Sequence, residues 1–264
     1  MKFVAFALMF LLSVILTGCF TKPVPREKLV KQTRLAVIPL FEETLVSEYF
    51  GVTVFENTSF EYDISSWDLY DLVYKNVAKK IDLYSPMTVV DLHLSKGKIL
   101  DMAKRKSIVA EKGYFINADM LMEKIQKTLL QKKIDYVLII KGWMNPNFRV
   151  RQILRFKEND LFLLDGLNFG LYDTKTLEAV RITDNNQDPD AISGCVKYSE
   201  VASSPLWRDK NLPLSSGELG QVQTILRDFL TQLIPVMLTK MHLLQGSGYN
   251  ELPQKYNYMG ACYI

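Results

Sequence analysis

Two continuous apolar runs constrain this chain most: Arg34-Leu-Ala-Val-Ile-Pro-Leu-Phe41 and Ile134-Asp-Tyr-Val-Leu-Ile-Ile140. A strand with one wet face alternates polar and apolar residues, so runs like these suit strands covered on both faces. Asn117 opens a predicted helix with Leu121, Ile125, Thr128 and Leu129 on one side, and it feeds the second run directly. A helix entering a buried strand is the signature of a βαβ unit and predicts parallel core strands with flanking helices. The expected fold class is therefore mixed α/β.

Around that core, Gly51 to Phe55 and Met87 to Leu92 read as further strands, the first followed by a turn at Glu56 to Ser59. Ser65 or Ser66 is placed to cap a helix carrying Leu69, Leu72, Val73, Val77 and Ile81 at helical spacing. Segments 149–157, 161–172 and 177–182, separated by short turns, predict an antiparallel meander added to the parallel core. Residues 184–214, rich in Asp, Asn, Pro and Ser, read as a long surface loop. Ser215 and Glu218 form a capping-box pattern at the start of a long C-terminal helix. Its stripe is Leu219, Val222, Leu226, Phe229, Leu233, Met237 and Leu244; Pro235 inside it predicts a kink or break, and Gly246-Ser-Gly248 an end. No repeat or composition break divides 34–245, which reads as one domain followed by a tail, 246–264.

The N-terminal segment has another character. Met1-Lys2 precedes an apolar run from Phe3 to Leu16, and small residues lead up to Cys19. That is the charged start, short apolar centre and small-residue cleavage site of a secretory signal, predicted over 1–18. The run falls short of the ~20 apolar residues a transmembrane helix needs. Leu16-Thr17-Gly18-Cys19 resembles the lipobox of bacterial lipoproteins. The resemblance implies a mature chain that starts at Cys19, carries diacylglycerol on the thiol and usually palmitate or a similar acyl chain on the amine. Residues 19–33, with Pro23 and Pro25, then form a tether between lipid and domain. Phe20 stands where inner-membrane lipoproteins often have Asp, which implies an outer membrane and a domain facing the periplasm where two membranes exist.

A second resemblance covers about residues 34–183. Leu35 to Leu40, Ile134 to Gly142 and the turn Leu171-Tyr-Asp-Thr-Lys-Thr-Leu177 are similar to an envelope α/β fold. It occurs in N-terminal domains of the Tol-Pal periplasmic protein, in curli-secretion lipoproteins and in penicillin-binding-protein activator lipoproteins. No functional residue carries over from it.

With 32 basic and 29 acidic residues and a net charge of +3, the chain has no bulk basic signal for nucleic acid. The basic stretch 96–112 (Lys96, Lys98, Lys104, Arg105, Lys106, Lys112) reads as a solvated face with a helical fragment; its functional alternative is contact with lipid head groups or an anionic glycan. Of three cysteines, Cys19 is assigned to lipid, leaving Cys195 and Cys262 as a candidate disulfide in an oxidising compartment, or as two unpaired buried thiols. Neither cysteine has zinc-site spacing, and Asp184 to Asp190 lacks the Gly and final Glu of a calcium loop, so no metal or cofactor is expected. Asp91 and His93, two residues apart on a predicted strand, are the weak catalytic candidates; no Gly-x-Ser-x-Gly supplies a nucleophile. Glu42 and Glu43 could pair with other carboxylates, but nothing fixes their separation. Trp143, Phe148 and Trp207 are candidate interaction anchors. These features favour a non-enzymatic lipoprotein that docks on another envelope protein. An envelope hydrolase at Asp91/His93 and a small-ligand or glycan binder are the alternatives.

Overall fold

The computed structural model describes residues 33–41, 43–50, 58–108, 113–142, 153–156, 162–165, 167–182, 195–198, 213–246, 248–249, 253 and 256–258. It is mixed α/β. Strand β1 (Arg34–Leu40) lies between β7 (Tyr136–Gly142) and β4 (Thr88–Val89), parallel to both. Beyond β7, β10 (Leu167–Asp173) and β11 (Ala179–Ile182) pair antiparallel, giving the order β11-β10-β7-β1-β4.

The apolar runs are buried on both sides, as their lack of alternation predicts. Leu35, Val37, Leu138, Ile140, Phe169 and Leu171 pack with helix α1 (Leu69–Tyr84) and helix α4 (Ser216–Lys240). Ala36, Ile38, Leu40, Val137, Ile139 and Tyr172 pack on the opposite face with α2 (Lys96–Ala103) and α3 (Ala118–Gln131). Gly170 makes the second face possible at one point: a Cβ there would come within 2.8 Å of the buried Tyr172 ring. Pro39 sits in a central strand without breaking a ladder. Thr33 and Leu35 offer their carbonyls towards β4 and Arg34 towards the β7 side, so by alternation Pro39 faces the side where β4 has already ended.

A second sheet has the order β13-β12-β9-β8-β2-β3, with β2 (Thr44–Phe50), β3 (Thr58–Asp63), β8 (Ile153–Phe156), β9 (Phe162–Asp165), β12 (Cys195–Tyr198) and β13 (Tyr256–Tyr258). Its centre repeats the first sheet. β1 runs on into β2, β7 is followed by β8, and β9 runs on into β10, in the same lateral order and with the same parallel and antiparallel pairings. Three passes of the chain thus lay down the centres of both sheets.

Several expectations are corrected by this arrangement. The meander divides: β8 and β9 join the second sheet while β10 and β11 extend the first, because 161–172 is two strands rather than one. Residues 44–50, given no element by the sequence reading, form β2, and Thr58 and Ser59 begin β3 rather than a turn; 51–57 lie outside the described residues. Only Thr88 and Val89 of 87–92 hold strand pairing. Within the expected loop 184–214, Cys195–Tyr198 is a strand bonded to β9 and β13. Neither Ser65 nor Ser66 caps α1. They form a 3-10 turn with Trp67, and Asp68, at φ 50°, takes the N-cap position.

Helix α4 has the expected capping box, with Glu218 Oε2 accepting from Ser215 N at 2.7 Å. It runs unbroken past Pro235, so of the expected kink or break the break does not occur. Every residue from Leu233 to Leu238 is buried there, and that burial outweighs the ~3 kcal/mol a helix-interior proline costs. The helix ends before Gly246, in a Schellman turn: His242 takes φ 58°, its N–H bonds Thr239 O and that of Leu243 bonds Leu238 O. Lys133, at φ 53°, closes α3 the same way, with Ile134 N on Leu129 O.

The β10–β11 turn is pinned beneath the sheet by one residue. Thr174 is fully buried, and its hydroxyl donates to Ile134 O at 2.6 Å. Its own N–H bonds Asp135 O, whose carboxylate accepts from Arg34 N at 2.8 Å, so three core segments meet there. Thr174→Val keeps the shape and strands the Ile134 carbonyl. The expected loss is about 1–3 kcal/mol, read as a lower urea midpoint with an unchanged slope.

Candidate functional site

The described polar groups that chemistry could use gather where the chain leaves the β4 edge, between Val90 and α2. Asp91 makes a local turn: Oδ1 accepts from His93 N at 2.7 Å and Oδ2 lies 3.3 Å from His93 Nδ1. This closure needs His93 at φ 56°, a left-handed conformation that a short polar turn tolerates. Both side chains are exposed. The next residues are committed to helix formation. Ser95 Oγ accepts from Lys98 N and caps α2, and Lys96 then occupies its first turn.

Lys96 stands at the positive end of a helix, where a cation is disfavoured. Glu43 offsets this. Its side chain is only 6% exposed and ion-pairs with Lys96, joining the β1–β2 crossing to α2. Partial burial holds the Lys96 ammonium below its ordinary range. Lys96→Met would leave the buried Glu43 carboxylate without its cation. Because Lys96 is partly solvated, the expected cost is about 1–3 kcal/mol rather than that of a sealed pair. Urea midpoints of the parent and Lys96→Met at neutral pH, with an unchanged slope, check this.

Two tyrosines of α1 face the same edge. Burial, aided by the Asp91 carboxylate, pushes the Tyr70 phenol up to about 12, and Tyr74 is raised by the same two causes. In the unfolded chain tyrosine ionises near 10. Stability from Tyr70 is therefore complete below pH 10 and is lost as pH rises towards 12. Urea midpoints across that window are expected to fall less steeply in Tyr70→Phe than in the parent. Tyr74 and Tyr136 are raised chiefly by burial and keep part of the slope; Tyr249 is lowered, first by its hydrogen bond from Lys80, and opposes it.

The structure thus brings Asp91 and His93 together as the spacing predicts, but in a turn rather than on a strand face. What the sequence missed is the Glu43–Lys96 pair and the approach of Tyr70. Glu43 was visible only as half of an acidic doublet and Lys96 as part of a basic stretch, and no spacing links them. Cys19, Trp143, Phe148, Trp207 and Cys262 lie outside the described residues. Cys195 opens β12, and β12 pairs with β13, which brings the strand just before Cys262 alongside the one Cys195 begins. Among the described residues there is no group of three or more His, Cys, Asp or Glu side chains placed to hold a metal. No helix among them is long and apolar enough to cross a membrane.

Fold and site define a helix-covered mixed sheet continued into a second sheet, with a polar edge rather than a deep catalytic centre at 91–96. No protein-family model matches the chain, and no curated protein matches it. Among solved structures it is similar to a single-residue variant of PelC from Paraburkholderia phytofirmans, solved as a dodecamer. The identity is 11%, covering 81% of this chain and 91% of that one, at a TM-score of 0.31. A superposition that loose transfers neither fold nor role.

Proposed function

We propose that the chain is a lipoprotein of the bacterial envelope, anchored through Cys19 and non-enzymatic, whose α/β domain docks on another envelope protein or assembly. The observation that carries this is Leu16-Thr17-Gly18-Cys19 directly after a signal-like run. Several acyl chains on one cysteine give stable attachment where a single chain does not. Strand β1 begins at Arg34, directly after the tether segment, which fits a domain held off a surface. The use of Asp91, Ser95, Glu43 and Lys96 in local turns, caps and pairing favours docking over chemistry at this edge. The resemblance of segments within 34–183 to envelope folds supports the same reading. Crosslinking in intact cells, capture of the protein and mass spectrometry test it. One dominant envelope partner, lost in a Cys19→Ala form, is the expected result; no partner above background would sink the docking role.

One distance favours a second reading. Asp91 Oδ2 at 3.3 Å from His93 Nδ1 is close to the ~2.6–3.2 Å at which a carboxylate orients a general base. An envelope hydrolase using that pair would lose activity in His93→Ala while keeping its unfolding transition.

A further inference from the structure

The basic stretch after α2 does not continue as a helix. Strand β5 (Lys104–Lys106) turns back on β6 (Tyr114–Ile116), forming a two-stranded hairpin separate from both large sheets. Ser107 N bonds Gly113 O to close it, and Gly113 takes φ 71° at that point. Its root is fixed, since Ala103 and Ile116 are buried and Asn117 N bonds Ala103 O.

The hairpin presents cations laid over rings. Lys104 Nζ lies 5.0 Å from the Tyr114 ring centre, and the Arg105 guanidinium 5.6 Å from that of Phe115. Lys104 is partly committed to Asp101 at 3.0 Å, whereas Arg105 and Lys106 are exposed. Lys124 of α3 adds a fourth cation near the root, donating to Met102 O. No acidic residue lies among the described hairpin residues, and in the sequence between Ile108 and Gly113 Glu111 is followed by Lys112. Past the last strand residue Ile108 is wholly in water, at 104% relative exposure, the most exposed large apolar side chain described.

We propose that this hairpin is a membrane-contacting arm that places Ile108 in the interfacial layer of an anionic lipid surface. There Arg105 and Lys106 would meet phosphates while Tyr114 and Phe115 sit at head-group depth. An acidic protein would satisfy the cations equally well, but it would leave Ile108 in water unless it also offered a pocket. A bilayer meets an exposed apolar side chain flanked by cations and aromatics without any such fit. The proposal rests on the tethered-lipoprotein reading for its encounter with a bilayer. The reach is sufficient. The hairpin and Arg34 lie at opposite ends of α3, roughly 21 Å long at 1.5 Å per residue. A tether of this length spans up to about 45–50 Å.

The test uses the full chain purified from cell membranes and its Ile108→Trp form, mixed with vesicles of phosphatidylcholine alone or with phosphatidylglycerol. Flotation with neutral vesicles reads the lipid anchor. Quenching by brominated lipid, taken as the difference between Ile108→Trp and the parent, reads the hairpin. The expected result is quenching in anionic vesicles only, returning to the neutral-vesicle level in high salt or when Arg105→Glu and Lys106→Glu are added. Those two residues are exposed, and far-ultraviolet circular dichroism confirms that the fold is kept. A chain that floats with both vesicles while the new side chain stays unquenched overturns the arm but not the anchor. Quenching by anionic vesicles without flotation on neutral ones supports the arm and removes the anchor. Equal quenching in both vesicles overturns the electrostatic recognition.

Discussion

Phe229→Ala is expected to lower stability by about 3–5 kcal/mol, the largest loss from any single truncation named here. Phe229 is fully buried near the middle of α4, in the cluster that joins α1 to β1, β7 and β10. Removing its ring takes apolar surface from the main core and leaves a cavity that the sheet cannot follow, since its other face is packed against α2 and α3. Against the 5–15 kcal/mol that usually holds a domain, such a loss brings the protein close to its folding threshold. Urea unfolding should show a much lower midpoint with little change of slope. A loss below about 1 kcal/mol would mean that α4 does not seal this face.

On the lipoprotein proposal, Cys19→Ala should abolish incorporation of labelled palmitate, because the thiol is the only group in Leu16-Thr17-Gly18-Cys19 that can form the thioether. The substitution leaves Thr33 onward untouched, so the folded domain should unfold at the same urea concentration as the parent. Loss of lipid without loss of stability separates an anchor from a structural cysteine. Continued labelling would place the modification elsewhere and remove the address on which the functional proposal stands.

Much of the architecture is legible in local patterns. The runs at 35–41 and 134–140 are buried on both faces, Asn117 caps α3 through its contact with Met120 N at 2.7 Å, and Ser215 with Glu218 opens α4. Each depends on residues within a few positions of each other, where period, capping and burial agree. The Asp91–His93 approach is legible for the same reason. The Glu43–Lys96 pair is not, because its partners come together only when the β1–β2 crossing meets the start of α2.

Sequence alone determined the helix-fed parallel core and the fold class, since these are statements about composition and period along the chain; the lipobox resemblance at Leu16-Thr17-Gly18-Cys19 likewise rests on sequence alone. Tertiary structure decided how the strands were shared between sheets. Nothing in 161–172 says that the chain passes from one sheet to the other near residue 166, or that a segment read as a loop would supply β12. It also decided that α4 survives Pro235 and that Lys104–Lys106 pairs with Tyr114–Ile116 as a hairpin with an exposed isoleucine beyond its first strand. Strand partners and proline tolerance are settled by the surface each segment finds to bury against. That surface exists only once distant parts of the chain have met.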